Sequence, residues 1–470
     1  MSPSILRQRV DRRRFLTWSS ASLAAMGIGM PPFIRRVAAG PLTQGKKLLF
    51  IFLRGGADAV QMAIPFGDQG IPALGVKTYL EARPTLGVSP GDAHDLNGFA
   101  SLFPSMEGPG ETDPKLAGIF HGTLDARPGA LAVLHRIGYE AQNRSHFSSQ
   151  QFWENGLPGE LKVEEGVLNR YLTAYKDPAS PLQAATLAGN QMVMMKGQTL
   201  VPVLRSVSDF GLPANVALGS FPTAEAPLGS GLQGAYGQKG FDATIPYESL
   251  TFGVGTSLLE SLRFFEENVS SVPYEPEPEA APFYDAISDA NFAGFVRDAA
   301  RLLKQVDGLQ IAGCNQDGYD THGNENGRFP TLARDLALAL TALFFDLAPI
   351  WQDTLVITVS EFGRTSEQNG NNGTDHGEST CMLAMGGPVV GGVYNCDPST
   401  WENGDLFSTP NGRYVAHRTD FRAVYHEFIT RHLGDPSARI DDVIPGYSQL
   451  AASDPNGYFQ PLGYLSESEG

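Results

Sequence analysis

Thr354-Leu-Val-Ile-Thr-Val-Ser360, followed at once by Glu361-Phe-Gly-Arg-Thr365 and then by Thr374-Asp-His-Gly377, is the stretch on which the fold turns. Its first part is a short run of β-branched and apolar side chains, the pattern of a strand buried on both faces. Strands of that kind belong to sheets covered by helices on either side, because neither face tolerates water. Glu361 stands at the C-terminal end of the strand, where open α/β sheets place their ligand crevices. The Gly/Asn-rich loop from Asn369 to Gly373 is flexible enough to fold Asp375-His376 back over the same edge. Carboxylate and imidazole donors gathered on one sheet edge suit a divalent metal, Zn²⁺ or Mn²⁺, better than a packed core.

Outward from that strand the pattern alternates. Leu332 to Leu347 is apolar nearly all round, which predicts a buried helix ended by Pro349. Asp289 to Lys304 has helical periodicity through Phe292, Phe295, Ala299, Leu302 and Leu303, and Gln310 to Gly313 is a short strand leading into Tyr319-Asp-Thr-His-Gly323. Toward the N-terminus, Lys47-Leu-Leu-Phe-Ile-Phe-Leu53 predicts a central strand with a tight turn at Arg54-Gly-Gly-Ala-Asp58. Ala130 to Leu134 is a second strand, Gln183 to Leu187 a weaker one, and Asp420 to Leu433 a last helix. The expectation is an α/β fold with a largely parallel central sheet and helices on both faces. Residues 205–285 break the rhythm with Gly, Pro, Ser and an acidic run, Val272-Pro-Tyr-Glu-Pro-Glu-Pro-Glu279. They are expected to form an irregular insertion or cap on a single domain spanning 40–470.

The 470 residues carry a formal net charge of −17, with 42% hydrophobic and 18% charged side chains. That describes a globular chain and argues against nucleic acid or anionic membrane surfaces as partners. An anionic substrate needs local cations at its site to overcome the long-range repulsion. At the N-terminus, Asp11-Arg-Arg-Arg-Phe-Leu16 matches the twin-arginine export motif. A weakly apolar stretch from Thr17 to Met30 follows, then Val37-Ala-Ala39 as a cleavage site. Residues 1–39 are therefore expected to be a signal peptide read by the twin-arginine translocase. The mature protein, periplasmic or extracellular, would have no stable membrane span. Cys314, Cys381 and Cys396 match no zinc spacing; a Cys381–Cys396 disulfide and buried free thiols both remain open.

Four clusters follow inferred strands: Asp58; Arg144-Ser-His146; Asp320-Thr-His322; and Glu361 with Asp375-His376. Alone, Asp58 reads more readily as a turn or helix cap, and Asp320-Thr-His322 equally as a hydrogen-bonded loop. Ser145 or Asn143 can cap a helix from Phe147 to Trp153. As a set at one sheet edge they point to a metal centre. Asp58, Asp320, Glu361 and Asp375 would repel one another without cations, and His322 and His376 bias the site from Mg²⁺ toward zinc or manganese.

Leu49-Phe-Ile-Phe-Leu-Arg-Gly-Gly-Ala-Asp58, Arg144-Ser-His-Phe147, Tyr319-Asp-Thr-His-Gly-Asn-Glu325, Ser360-Glu-Phe-Gly-Arg-Thr365 and Gly373-Thr-Asp-His-Gly377 together resemble the bacterial family called domain of unknown function 1501. That family falls within the alkaline-phosphatase-like superfamily, beside sulfatases. The resemblance implies an alkaline-phosphatase-like fold, one or two divalent ions, and hydrolysis of a phosphate, sulfate or related ester on a small molecule or a polymer. It implies Asp58, Asp320, His322, Glu361 and His376 as metal ligands and Ser145 as the attacking hydroxyl. Asp375 is a further candidate ligand from its place beside His376, and Arg144 and Arg364 are candidate anion clamps because a guanidinium fork matches phosphate or sulfate oxygens. Phe362 stands where the superfamily has a histidine, so one metal site is expected to be weakened, rebuilt with His146 or Asp375, or empty. The alternatives are a non-catalytic secreted metal-containing protein that keeps the fold, and a transferase or mutase using the same serine.

Overall fold

The computed structural model describes residues 45–124, 127, 130–163, 165–175, 180, 182–208, 265, 269, 273–434 and 439–466. The signal segment 1–39 and residues 209–264 of the expected insertion lie outside the described residues.

β1, Lys47–Leu53, is fully buried and lies at the centre of a nine-stranded sheet. In chain order the other strands used below are β2 (Leu131–Gly138), β3 (Ala184–Leu187), β4 (Val203–Leu204), β5 (Ile311–Gln316), β6 (Thr354–Val359), β7 (Thr380–Gly386), β8 (Gly392–Tyr394) and β9 (Thr419–Asp420). Their spatial order is β8-β2-β7-β6-β1-β5-β3-β4, with β9 also on β2. β1 runs parallel to β5 (Leu53 opposite Gln316) and to β6 (Phe52 opposite Val359). β7 is antiparallel to both β6 and β2. The sheet is thus largely parallel, as the continuous apolar strands predict, with one reversed strand.

β1 also shows why helices cover both faces. Leu49, Ile51 and Leu53 point into one core, Leu48, Phe50 and Phe52 into the other, and all six are fully buried. Each such side chain contributes about 1.5–3 kcal/mol of burial energy. The helices used below are α1 (Ala59–Met62), α2 (His146–Asn155), α3 (Val167–Ala174), α4 (Ala281–Ala286), α5 (Ala290–Gln305), α6 (Glu325–Asp346) and α7 (Phe421–Glu427). α5 and α6 pack on the first face; α2, α3 and α7 pack on the second. α6 begins seven residues before the expected Leu332, and Pro330 lies within its early turns.

Of the expected insertion, residues 273–285 are anchored to the domain. The Tyr274 and Tyr284 hydroxyls donate to buried Asp346, and Lys304 pairs with both Asp346 and Glu277. Cys381 and Cys396 are free and buried, as is Cys314. β2 lies between β7, which carries Cys381, and β8, whose end leads into Cys396. Among the described residues no helix is long and apolar enough to cross a membrane.

β1, β2, β5 and β6 all point the same way, so their C-terminal ends share one edge of the sheet. The chain between β6 and β7 leaves and re-enters the sheet at that edge. Its two arms are zipped together: Arg364 bridges His376, Gly377 N–H donates to Gly363 O at 2.8 Å, and Thr365 N–H donates to Asp375 O at 2.9 Å. This excursion is why Glu361 and His376, fifteen residues apart in the chain, lie at the same edge, each against His146.

Candidate metal centre

Where β1 and β6 end, Ser360 stitches them: its hydroxyl donates to Leu53 O and accepts from Ala57 N–H. Glu361 follows, fully buried. Its Oε1 accepts from Gly55 N–H (2.9 Å) and Gln150 Nε2 (2.8 Å) and lies 2.8 Å from His146 Nδ1. Burial opposes its charge, but His146, Gln150 and the backbone amides hold the carboxyl below its ordinary range. α2 therefore begins with His146 tied to the strand end.

Two further imidazoles arrive from loops. His322 leaves the β5 end with Nδ1 3.0 Å from Asp375 Oδ1, and His376 has Nδ1 2.7 Å from the Arg144 carbonyl oxygen. Asp375 is also held below its ordinary range, where burial is outweighed by hydrogen bonds from His322 and Asn369. Each of the three Nδ1 atoms faces an acceptor, so each carries its ring's proton. In the neutral rings this leaves the three Nε2 atoms with lone pairs, while the hydrogen bond to Glu361 raises His146 above its ordinary range.

Those lone pairs converge on one carboxylate oxygen. Asp320 Oδ1 lies 3.2 Å from His322 Nε2, 3.3 Å from His376 Nε2 and 3.4 Å from His146 Nε2. His322 and His376 Nε2 are 2.9 Å apart, and His146 Nε2 is buried with no hydrogen-bond partner. Donor atoms of His146, Asp320 and His376 all lie within 4.8 Å of one another, the one such group among the described residues. The Arg364 guanidinium, by hydrogen bond and charge, outweighs burial and holds Asp320 at about 2, so the oxygen is anionic. A proton can satisfy one pair of these acceptors. A metal ion can accept the His146, Asp320 and His376 donors together, with His322 Nε2 close to two of them; donors arranged tetrahedrally about 2.1 Å from a centre sit about 3.4 Å apart. The donor set fits.

Around the donors the support is dense. Phe362, fully buried, lies against His146 and His376 with ring centroids 4.9 Å from each. In place of a histidine it supplies an apolar floor that orients two imidazoles. Thr374 N–H donates to Thr321 O, Glu325 N–H to Asn372 O and Asn369 Nδ2 to His322 O, which locks the two histidine-bearing loops face to face. On the other side the Asp320 and His322 side chains are each 46% exposed, so the donors open to solvent.

Several expected residues take other work. Asp58 caps α1, accepting from Val60 and Gln61 N–H, and both its oxygens also receive the buried Arg83 guanidinium. That carboxylate is saturated, which corrects its reading as a ligand. Glu361 and Asp375 bind the far nitrogens of His146 and His322 instead of joining the donors, as the outer partners of metal-binding imidazoles do. Arg364 is buried, and its guanidinium donates to the carbonyls of Gly55, Gly56, Tyr319 and Thr374 as well as to Asp320. It braces the loops and has no edge left for a substrate anion. Ser145 occupies the N-cap position of α2, but its side chain makes no capping bond; it is exposed, as is Arg144. His146 was expected only as a replacement donor. Its one sequence signal, a histidine beside Arg144-Ser145, gains meaning only from the tertiary position of α2.

The profile of the family described as "Protein of unknown function (DUF1501)" matches residues 294–443, less than half of the chain. The match spans Asp320, His322, Glu361, Asp375 and His376 and leaves out His146. No curated protein matches this sequence. Among solved structures, alkaline phosphatase from the Antarctic bacterium TAB5 aligns at 10% identity, covering 77% of this chain and 96% of that one, with a TM-score of 0.29. A mutant of the TAB5 enzyme with magnesium in its M3 site aligns at 9% identity over 77% and 96%, with a TM-score of 0.31. Likeness at this level carries no argument about the activity of the present chain.

Proposed function

We propose that this protein is a metal-dependent hydrolase of phosphate, sulfate or related esters, with a single zinc or manganese ion held by His146, Asp320, His322 and His376. One observation carries the reading: three imidazole lone pairs and one carboxylate oxygen converge with every Nδ1 proton already engaged elsewhere. Three nitrogens and one oxygen suit zinc, and manganese next. When bound, the ion would polarise an ester oxygen and stabilise developing negative charge. Among the described residues a second ion finds no comparable donor set.

The chain's own residues supply the rest. Exposure of Asp320 and His322 leaves the centre reachable by a substrate, as a catalytic site requires and a closed structural site does not. Ser145, beside His146 at the start of the ten-residue α2, carries a hydroxyl free of capping bonds. The positive end of the helix favours an anion arriving there. Ser145 is the proposed attacking group and Arg144 the cation that meets the ester. Export through the twin-arginine route, implied by residues 11–16, would deliver the folded, metal-loaded protein to the periplasm or beyond.

Metal content per chain, measured by plasma mass spectrometry on protein purified without chelators, tests this directly. The expected result is close to one zinc or manganese ion, lost in His146→Ala and His376→Ala. Ser145→Ala should keep the metal and lose ester turnover. Full metal content in both histidine variants would sink the assignment.

A further inference from the structure

We propose that Arg144 and Arg413 form a subsite for an oxyanion of the substrate, a sulfate, phosphate or carboxylate group, at the rim of the imidazole cluster; the proposal rests on the metal-site reading above. The two arginines come from distant parts of the chain and gather on one aromatic ring. The Arg144 guanidinium carbon lies 4.9 Å from the Tyr414 ring centroid, and that of Arg413 lies 5.6 Å from it. Tyr414 is 4% exposed, so the ring is a fixed platform, while both arginines are exposed. A guanidinium held against an aromatic face keeps N–H edges free for oxygen acceptors.

The pair borders the metal donors on two sides. The carbonyl of Arg144 receives His376 Nδ1, and the carbonyl of Arg413 is held by Ser366 N–H, next to Thr365, whose N–H donates to Asp375 O. An anion between or beside the arginines is therefore next to the donors. The backbone of Arg413 is fixed in advance: its carbonyl accepts from Ser366 N–H at 3.1 Å, two residues after Arg364, and its N–H donates to Asn411 Oδ1. Tyr414 N–H is held by Thr409 Oγ1. Such preorganisation lowers the entropic cost of binding.

The charges select the ligand class. Among the described residues the Arg413 side chain has no carboxylate within ion-pair distance, and Arg144 has one, Glu378 at 3.3 Å. The other arginines near the centre are engaged: Arg364 on four carbonyls and Asp320, Arg328 on the carbonyls of Gly318 and Asp320. A chain of net charge −17 repels anions at long range. Two available guanidinium groups at this mouth offset that repulsion locally, which a neutral or cationic substrate would not need. Because the proposed metal would engage the reacting ester with Arg144 beside it, Arg413 extends this cationic rim to a charged group next to the ester.

Calorimetric titration of the full mature chain with inorganic sulfate and inorganic phosphate at low ionic strength, with metal removed and with zinc restored, is the test. Binding to metal-free protein is expected, weakened at least tenfold in Arg413→Gln and in Arg144→Gln. It should be unchanged in Arg439→Gln, which removes an exposed arginine paired with Asp442 elsewhere. Equal affinity in wild type and Arg413→Gln, or no anion binding by metal-free wild type, overturns the subsite. Metal content measured on the same samples separates the two readings: a normal metal load with no effect of Arg413→Gln rejects the subsite alone, whereas absence of metal from wild type rejects the centre.

Discussion

Two polar clusters lie at the same edge of the sheet, and they differ in whether they complete their own charge. One is the buried set Asp58, Arg83 and Glu325. Asp58 and Arg83 side chains are fully buried and paired at 2.7 Å, and Glu325 accepts from Thr374 Oγ1 at 2.6 Å. Burial and the nearby Asp58 push the Glu325 carboxyl up to about 8, so it keeps its proton at neutral pH. One guanidinium, one carboxylate and one neutral acid balance. The other set is His146, Asp320, His322 and His376, in which the acceptors point at one another. A cluster that neutralises itself serves as scaffolding; one whose donor atoms converge is suited to a cation.

The most severe way to break this contrast is Arg83→Met. It leaves Asp58 buried without its cation and is expected to cost about 3–5 kcal/mol, read from urea denaturation. A loss under about 1 kcal/mol would mean that Arg83 does not balance the buried set. Stability of the metal-free protein should respond far less to His322→Ala, because that imidazole is half exposed. Next in size are the outer partners of the donors. Glu361→Gln and Asp375→Asn should each weaken zinc affinity about 10–100-fold, read by competition with a chromogenic chelator. Unaltered affinity in both would show that the Nδ1 contacts do not orient the donors.

The smallest effect is a pH slope. Glu325 titrates near 8 when folded, against an ordinary 4.5. Between those values the folded state holds a proton that the unfolded chain gives up, so this residue's contribution falls as pH rises through the window. Glu325→Gln should flatten the decline in melting temperature from pH 5 to pH 8. His135 works in the opposite direction: burial lowers it from 6.5 to about 4, so its contribution is lost as pH falls through that range. Replacing His135 with Gln should blunt the acid limb and leave the alkaline one. Identical profiles for wild type and both variants would contradict these proton assignments.

Much of the polar cluster at the sheet edge was legible before any coordinates. Asp320, His322 and His376 stand out because loops after apolar strands are where a parallel sheet exposes its ligands. Glu361 and Asp375 stand out for the same reason, but their placement in the outer ring was not legible. Whether a carboxylate touches a metal or a histidine's far nitrogen depends on side-chain direction, and sequence spacing does not encode it. Asp58 shows the limit most plainly. A post-strand aspartate suits a ligand, a cap or an ion pair equally, and Arg83, which decides among them, has no recognisable motif around it.

The amino-acid sequence by itself determined the sheet: continuous β-branched and apolar runs cannot face water, so they must be buried between two layers of helices. It also determined which loops share an edge, since parallel strands end on the same side. Only the tertiary structure decided which polar groups meet. The reversed strand β7 sends the chain from Glu361 out and back so that His376 lies opposite Arg364. α2 brings in His146 from more than two hundred residues away. Such contacts depend on the register and direction of packed elements, which are set by the whole core and not by any local run of residues.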